Sequence, residues 1–476
     1  MQFSTMEPYS QIISDDTICA ISTPHGCGGI AVIRISGPQA FDIVSGMWSG
    51  KSLGEVSSHT AHLGNLIDDK GNIIDQGVAT VFRGPRSFTG EDVIELSVHG
   101  SVYIQQRVLE RLVELGARLA EAGEFTRRAF ANGRMDLVQA ESVADVIASR
   151  TEASHRLAMS QMRGAFSLRI KELHDRLLEM ASLLELELDF SEEDVEFASR
   201  DKLIALAEEI HGYVTRLADS FSRGRVIKEG IPVTITGETN AGKSTLLNHI
   251  LGEDKAIVSD IRGTTRDSIE DTINISGHLF RFIDTAGLRD TTDPIEQIGI
   301  ARAIDNIGKA SVVIWMVDST SPLSSAAESW ARIAQQLDHR TTLIVFINKA
   351  DLTSDTHQLQ DSISALVSQH PDVYWFTGSA QSEDDIDHLQ TQLADIAQAT
   401  TTPESEITVT NIRHYQSLTA AANAIANAIQ GLRDNIPGDL IAQDIRETLH
   451  HLSILTGTIT TPDLLTHIFS HFCVGK

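Results

Sequence analysis

Apolar residues fall into distinct textures along the chain. Short β-branched runs at residues 30–35, 77–82 and 93–98, punctuated by glycine, surround a helical stretch over residues 102–115 and predict a compact α+β domain within residues 1–121. From 122 to 223 the period changes. Leu173, Leu177, Leu184 and Leu188 recur at helical spacing, so this segment predicts helices. Residues 224–400 return to strands of another kind. Runs at 232–236, 279–283, 312–317, 341–347 and 373–376 are almost unbroken in apolar character and alternate with amphipathic stretches, the pattern of a parallel sheet buried on both faces. After Thr401-Thr402-Pro403 the chain turns helical again through residues 401–476. The expected fold is therefore multidomain: an N-terminal α+β domain, an all-α domain made of two separated segments, and an α/β domain inserted between them.

The chain has 476 residues, enough for about three domains. Lys+Arg number 38 against Asp+Glu 65, a net charge of −27 that argues against wrapping in nucleic acid over the whole surface. Any such contact must use a local basic patch or a partner. Three scattered cysteines, Cys19, Cys27 and Cys473, give no disulfide framework and suit a reducing cytoplasm. No apolar run approaches a membrane span. The absence of Lys or Arg before Arg34 speaks against a secretory or transit peptide.

Candidate chemistry concentrates in the middle segment. Gly237-Glu238-Thr239-Asn240-Ala241-Gly242-Lys243-Ser244 lies between a strand and a helix, where glycines let backbone N–H groups cradle phosphates, Lys243 reaches them and the Ser244 hydroxyl ligates Mg²⁺. Asp284-Thr285-Ala286-Gly287 follows a strand, placing a carboxylate near the Mg²⁺ shell and the Gly287 N–H toward a γ-phosphate. Asn348-Lys349-Ala350-Asp351 follows another, and the Asp351 carboxylate can accept both N–H groups of guanine, which adenine cannot offer. This order is that of a guanine-nucleotide hydrolase of Ras-like, P-loop α/β architecture. In Gly263-Thr264-Thr265-Arg266-Asp267 the expected Mg²⁺-ligating switch threonine is Thr265. The residue after Asp284-Thr285-Ala286-Gly287 is Leu288 rather than a water-orienting glutamine, so the water must be positioned from elsewhere. Spacing alone leaves Glu296 open, either as that group or as a solvated helix residue.

Several segments resemble the MnmE (TrmE) family, bacterial GTPases that modify the wobble uridine of tRNA. They are Arg34-Ile35-Ser36-Gly37, Phe88-Thr89-Gly90-Glu91-Asp92-Val93, Gly123-Glu124-Phe125-Thr126-Arg127-Arg128-Ala129-Phe130, the two switch motifs through Leu288-Arg289, and the terminal Phe472-Cys473-Val474-Gly475-Lys476. The resemblance covers essentially the whole chain. It implies a homodimer that forms a heterotetramer with MnmG (GidA), an FAD-carrying partner, and acts on tRNA without a membrane. It also implies K⁺-dependent GTP hydrolysis between facing G domains, with Asn240, Ser259, Ile261 and Thr264 as K⁺ ligands and Glu296 as the water-orienting glutamate. Nucleotide contacts are implied at Asn240, Ala241, Gly242, Lys243, Ser244, Thr245, Ser259, Asp260, Ile261, Arg262, Gly263, Thr264, Thr265, Asp284, Thr285, Ala286, Gly287, Asn348, Lys349, Asp351, Ser379 and Ala380.

For the N-terminal domain the resemblance implies dimerisation and the binding of 5-formyl- or 5,10-methylene-tetrahydrofolate by Arg34, Glu95, Arg134 and Lys476. These residue types suit the task, because a glutamate accepts the pterin N–H pair while arginine and lysine meet the folate carboxylates. Arg134 stands where the family commonly has lysine, Gln381 where many relatives have a base, and Cys27 where arginine is frequent. Cys473 is implied to serve modification but not GTP hydrolysis. Its ending Val-Gly-Lys lacks a prenylation signature. With His467 and His471 it lacks a fourth ligand at zinc spacing, and the acidic run Glu192-Glu193-Asp194-Val195-Glu196 reads as a solvated loop. The competing function is a nucleotide-controlled switch in ribosome or RNA assembly without modifying chemistry; the terminal motif and the folate-type residues argue against it.

Overall fold

The computed structural model describes residues 15–189, 199–252, 271–283, 306–353, 356–401, 407–470 and 472–475. It divides into two compact units. The first comprises Met1–Ala148, Ala158–Thr215 and Gln416–Lys476, and the second Ser149–Leu157 and Arg216–Tyr415.

In the first unit, strands β1 (Ile18–Ile21), β2 (Ile30–Ser36), β3 (Trp48–Gly50), β4 (Thr60–Ile67), β5 (Ile73–Phe82), β6 (Val93–His99) and β7 (Arg118–Leu119) form one sheet. Its order is β3-β4-β5-β6-β2-β1-β7, antiparallel except where β1 meets β7. Strand alternation sorts the side chains between two faces. Ala31, Ile33 and Ile35 of β2 join Cys19, Ile94, Leu96 and Val98 in one core, covered by helices Ala40–Ser45 and Val102–Glu114. Arg34, of opposite parity, stands in register between Ala20 of β1 and Glu95 of β6, on the face where Ile18, Ala20 and Phe125 pack.

The rest of this unit is helical, with helices Glu124–Ala131, Leu137–Ala148, Ala165–Asp189, Gly438–Thr456 and Pro462–Phe469. Leu173, Leu177 and Leu184 are buried, as their spacing requires; the side chain of Leu188 lies outside the described residues. Each such leucine contributes roughly 1.5–3 kcal/mol of burial free energy. Among the described residues no helix is long and apolar enough to cross a membrane.

The second unit carries a six-stranded sheet of β8 (Ile231–Gly237), β9 (Asp271–Ile275), β10 (His278–Phe282), β11 (Val312–Asp318), β12 (Thr342–Asn348) and β13 (Val373–Thr377). The order is β13-β12-β11-β8-β10-β9, parallel throughout except for the β9/β10 hairpin. Every residue of β11 and β12 is buried, which explains their unbroken apolar runs. Ile314, Met316, Ile344 and Phe346 face helices Lys243–Gly252 and Glu383–Thr401. Val313, Trp315, Val317, Val345 and Ile347 face helices Leu323–Ile333 and His357–Val367. The unit is a three-layer α/β sandwich. β10 departs from the fully buried strand expected there: next to the hairpin edge it alternates between buried and partly exposed residues.

Candidate functional site

Because β8, β11, β12 and β13 run parallel, their carboxyl ends open at one edge of the sheet, where ligands of such folds bind. The loop after β8 turns through Gly237 (φ +143°), Asn240 (φ +66°) and Gly242 (φ +99°) before helix Lys243–Gly252 begins. A side chain at Gly237 would meet the Met316 carbonyl at 2.2 Å, and one at Gly242 the Asn348 amide nitrogen at 2.2 Å. Only glycine allows this close approach of loop to sheet. The result is a cradle of backbone at a helix N-terminus, a site for anionic phosphate.

Lys243 lies folded against this loop, its Nζ donating to the carbonyls of Gly237 at 3.0 Å and Glu238 at 2.5 Å. Burial pushes its ammonium below the ordinary lysine value, opposed by the Glu238 carboxylate. A phosphate arriving at this point would relieve that penalty by supplying the missing negative charge.

Asn348, 3 % exposed, joins two loops. Its Nδ2 donates to the Ala241 carbonyl and its Oδ1 accepts from the Ala380 N–H, both at 2.7 Å. Lys349 follows in a left-handed conformation (φ +59°), with its Nζ 2.6 Å from Asp318 Oδ2. Asp351 lies exposed on the short turn Ala350–Leu352. On the other side of the opening, the Ser379 N–H donates to Asp385 at 2.7 Å, and Gln381 is exposed. The edge thus gathers Ala241, Gly242, Lys243, Asn348, Lys349, Ser379 and Ala380 about one opening, with Ser244 and Thr245 in the first turn of the helix.

A second constellation lies in the first unit. Arg34 Nε donates to Glu95 Oε1 at 2.9 Å, and its guanidinium lies 5.0 Å from the Phe88 ring centroid and 5.6 Å from that of Phe125. Its Nη1 is buried without a hydrogen bond. A chain end approaches the same region: Val474 bridges to Ala122, the Gly123 N–H donates to the Cys473 carbonyl at 3.4 Å, and Ser22 Oγ donates to the Gly475 carbonyl at 3.2 Å. Gly475 has φ +96°, and a Cβ there would meet the Ile21 carbonyl at 2.3 Å. The Cys473 thiol is exposed. Arg134 is exposed on the turn after helix Glu124–Ala131, its Cγ only 3.2 Å from where a Cβ on Gly90 would stand.

Two family models match this chain: "GTP-binding protein TrmE N-terminus" over residues 17–134 and "MnmE helical domain" over residues 137–473. Proteins named tRNA modification GTPase MnmE match along nearly their whole length. That of Bacteroides fragilis strain YCH46 is 48% identical over 98% of this chain and 100% of its own, and that of Parabacteroides distasonis 49% identical over 97% and 100%. The chain belongs to the MnmE (TrmE) family. Among solved structures, a GTP-binding protein from Sulfolobus solfataricus in complex with GDP has a TM-score of 0.27 at 18% identity, covering 48% of this chain and 67% of its own, too distant to bear on the site.

MnmE-family features expected at Ser259, Asp260, Ile261, Arg262, Gly263, Thr264, Thr265, Asp284, Thr285, Ala286, Gly287, Leu288, Glu296 and Lys476 lie outside the described residues, as do His471 and the run Glu192 to Glu196. Among the described residues no group of three His, Cys, Asp or Glu is placed to hold a metal ion. One residue at this edge carried no motif. Asp318 ends β11 in register opposite Asn348 and holds Lys349; the only signal in the sequence was an acidic residue closing an apolar strand.

A buried ionic cluster joins residues whose pairing leaves no trace along the sequence. Arg128, 1 % exposed, bonds Asp16 at 2.6 Å, Glu91 at 3.1 Å and Glu124 at 3.2 Å. Arg118 bonds Asp16 at 2.5 Å and Glu124 at 2.6 Å. Burial pushes the Glu124 carboxyl up, but these arginines and the Glu121 N–H outweigh it and hold it below its ordinary value. The cluster ties the helix carrying Phe125 to the loop carrying Phe88, and so braces the two rings beside Arg34.

Proposed function

We propose that this chain is a K⁺-dependent GTPase that works with an FAD-dependent MnmG (GidA) partner. Together they add a carboxymethylaminomethyl or aminomethyl group to C5 of the wobble uridine, position 34, of certain tRNAs. The observation that carries this reading is the carboxyl edge of the second unit's sheet, where a glycine-gated phosphate cradle and Asn348 are hydrogen-bonded into one structure in a chain that matches MnmE-family relatives along their whole length. GTP hydrolysis in the service of tRNA modification is the activity. In this reading residues 1–121 bind folate and dimerise, 122–223 and 401–476 form the helical domain, and 224–400 form the inserted G domain.

The chain's own groups divide the work. Backbone N–H groups of Asn240 to Ser244 hold the phosphates, Lys243 neutralises them, and Asp351 reads the guanine edge while Ser379 and Ala380 back it. Glu296 orients the attacking water, which Leu288 cannot do. The Ser244 hydroxyl, at the helix start, suits Mg²⁺, with Thr265 as its switch partner. Asn240, exposed at the loop's left-handed apex, offers an amide oxygen for K⁺, with Ser259, Ile261 and Thr264 completing the set. Bound K⁺ supplies positive charge where negative charge accumulates during phosphoryl transfer.

In the N-terminal domain, the buried unpaired Nη1 of Arg34 fits an acceptor group of a ligand, and Glu95 fits a pterin N–H pair. Arg134 and Lys476 serve the folate's carboxylates. Bound folate supplies the one-carbon unit, and Cys473 serves the uridine chemistry beside it.

Mass analysis of tRNA nucleosides from cells lacking the protein tests this function. The modified wobble uridine should disappear; its persistence at normal levels would leave only a switch GTPase. A second expected outcome concerns the cation. GTP turnover should be stimulated by K⁺ and not by Na⁺, whose smaller radius fits the same oxygens poorly, and equal rates in matched chloride salts would exclude the K⁺ mechanism.

A further inference from the structure

Asp318 is a carboxylate only 6 % exposed whose hydrogen bonds run to Lys349 and Thr320, and it organises the guanine loop. Its Oδ2 holds Lys349 Nζ at 2.6 Å, while its Oδ1 accepts from the Thr320 N–H at 2.9 Å and the Thr320 hydroxyl at 2.6 Å. Ser319 adds two bonds, its N–H donating to the Asn348 carbonyl at 3.0 Å and its Oγ to the Lys349 carbonyl at 2.8 Å. Thr353 then donates to Ser319 Oγ at 2.9 Å. The end of β11 therefore grips both Asn348 and Lys349 at the end of β12, through main chain and side chain alike.

This grip falls where the backbone most needs it. Lys349 holds φ +59°, a left-handed conformation that a residue with a Cβ keeps only when its surroundings impose it. Asp351 lies two residues further on, so relaxation of Lys349 would move the carboxylate that meets the base. We propose that Asp318 and Ser319 are positioning residues for guanine recognition, acting through Lys349 and Asn348 without touching the nucleotide.

Two physical facts agree with this assignment. Burial pushes the Asp318 carboxyl up, but its bonds to Lys349 and Thr320 outweigh that and hold it below its ordinary value, so the ionised form is the one that grips. Asp318 also helps, after burial, to raise the Glu238 carboxyl in the phosphate loop, so its charge is felt at both halves of the site. The inference rests on reading Asn348-Lys349-Ala350-Asp351 as the guanine loop.

The test uses the full-length protein with Asp318→Asn, Ser319→Ala, Lys349→Met and the double variant Asp318→Asn/Lys349→Met. Binding of GDP and ADP is measured by fluorescent-nucleotide competition, and turnover at saturating GTP in K⁺. Asp318→Asn should weaken GDP binding about tenfold, the cost of a lost charge-assisted bond between a buried carboxylate and a half-buried lysine. It should narrow the preference for GDP over ADP while sparing turnover at saturation, because the interaction serves ground and transition states equally. In the Lys349→Met background it should add nothing, since the carboxylate acts through that ammonium. Ser319→Ala, a milder change, should weaken GDP binding by about threefold and covers the case in which Asp318→Asn does not fold. Wild-type GDP affinity in both Asp318→Asn and Ser319→Ala overturns the proposal, as does turnover that falls while affinity holds, or full additivity in the double variant. A wild-type protein that fails to prefer GDP over ADP instead refutes the guanine loop itself.

Discussion

Gly242→Ala should abolish useful guanine-nucleotide binding. Gly242 sits at φ +99°, and a Cβ there would stand 2.2 Å from Asn348 Nδ2. The left-handed backbone alone costs a residue with a side chain ~1–3 kcal/mol. Displacing Asn348 would also break its 2.7 Å bonds to Ala241 and Ala380. A buried polar group left unmet costs a further ~1–3 kcal/mol. At 1.4 kcal/mol per decade, the sum of ~2–6 kcal/mol corresponds to roughly 30-fold to 10⁴-fold in affinity. The damage would be shared, because one amide side chain ties the phosphate cradle to the loop that backs the base. Gly252→Ala is the matched control: among the described residues nothing beyond its own helix and chain neighbours lies within 4 Å of a Cβ at Gly252, and GDP should bind it as it binds wild type. Measured dissociation constants for GDP decide the matter; wild-type affinity in Gly242→Ala would show that the cradle relaxes without loss and that the tight approach to Asn348 is not required.

Five of the six strands of the second unit's sheet were legible, because buried parallel strands cannot hide; the antiparallel edge strand β9, where polar residues interrupt the apolar ones, was not. β8, β11 and β12 are flanked by helices on both faces, so nearly every position must be apolar and the runs stand out against their surroundings. Much of the N-terminal sheet was not. β4 contains His62, Gly64 and Asn65, and Gly64 is there because the Trp48 ring would stand 2.3 Å from a Cβ. That constraint is tertiary and leaves no periodic trace. β1 and β7 are four and two residues long, too short for alternation to speak. The same distinction governs the site. The phosphate and guanine loops announce themselves because their chemistry fixes residue types at fixed spacing along the chain. Asp318 and Ser319 act across strands, and only the register that sets Asp318 opposite Asn348 reveals them. Arg34 and Glu95, 61 positions apart, likewise meet only because β2 and β6 pair.

Cys473→Ser should separate the two activities of this protein. The terminal segment is held by its backbone: the Cys473 carbonyl accepts from Gly123, Val474 bridges to Ala122, and the Gly475 carbonyl accepts from Ser22. The thiol itself is exposed and takes no part in these three backbone contacts. Replacing sulfur by oxygen therefore keeps the segment in place and removes only thiol chemistry, since the thiolate is the nucleophile and a serine hydroxyl does not ionise in its range. Cys473 belongs to the first unit, whereas the phosphate and guanine loops belong to the second. GTP turnover in K⁺ should stay at the wild-type level, while modified wobble uridine in tRNA from a strain carrying only this variant should fall to the level of a strain without the protein. Wild-type modification would remove the thiol from the chemistry. A parallel collapse of GTP turnover would point instead to a structural thiol, and the exposed position of Cys473 argues against that outcome.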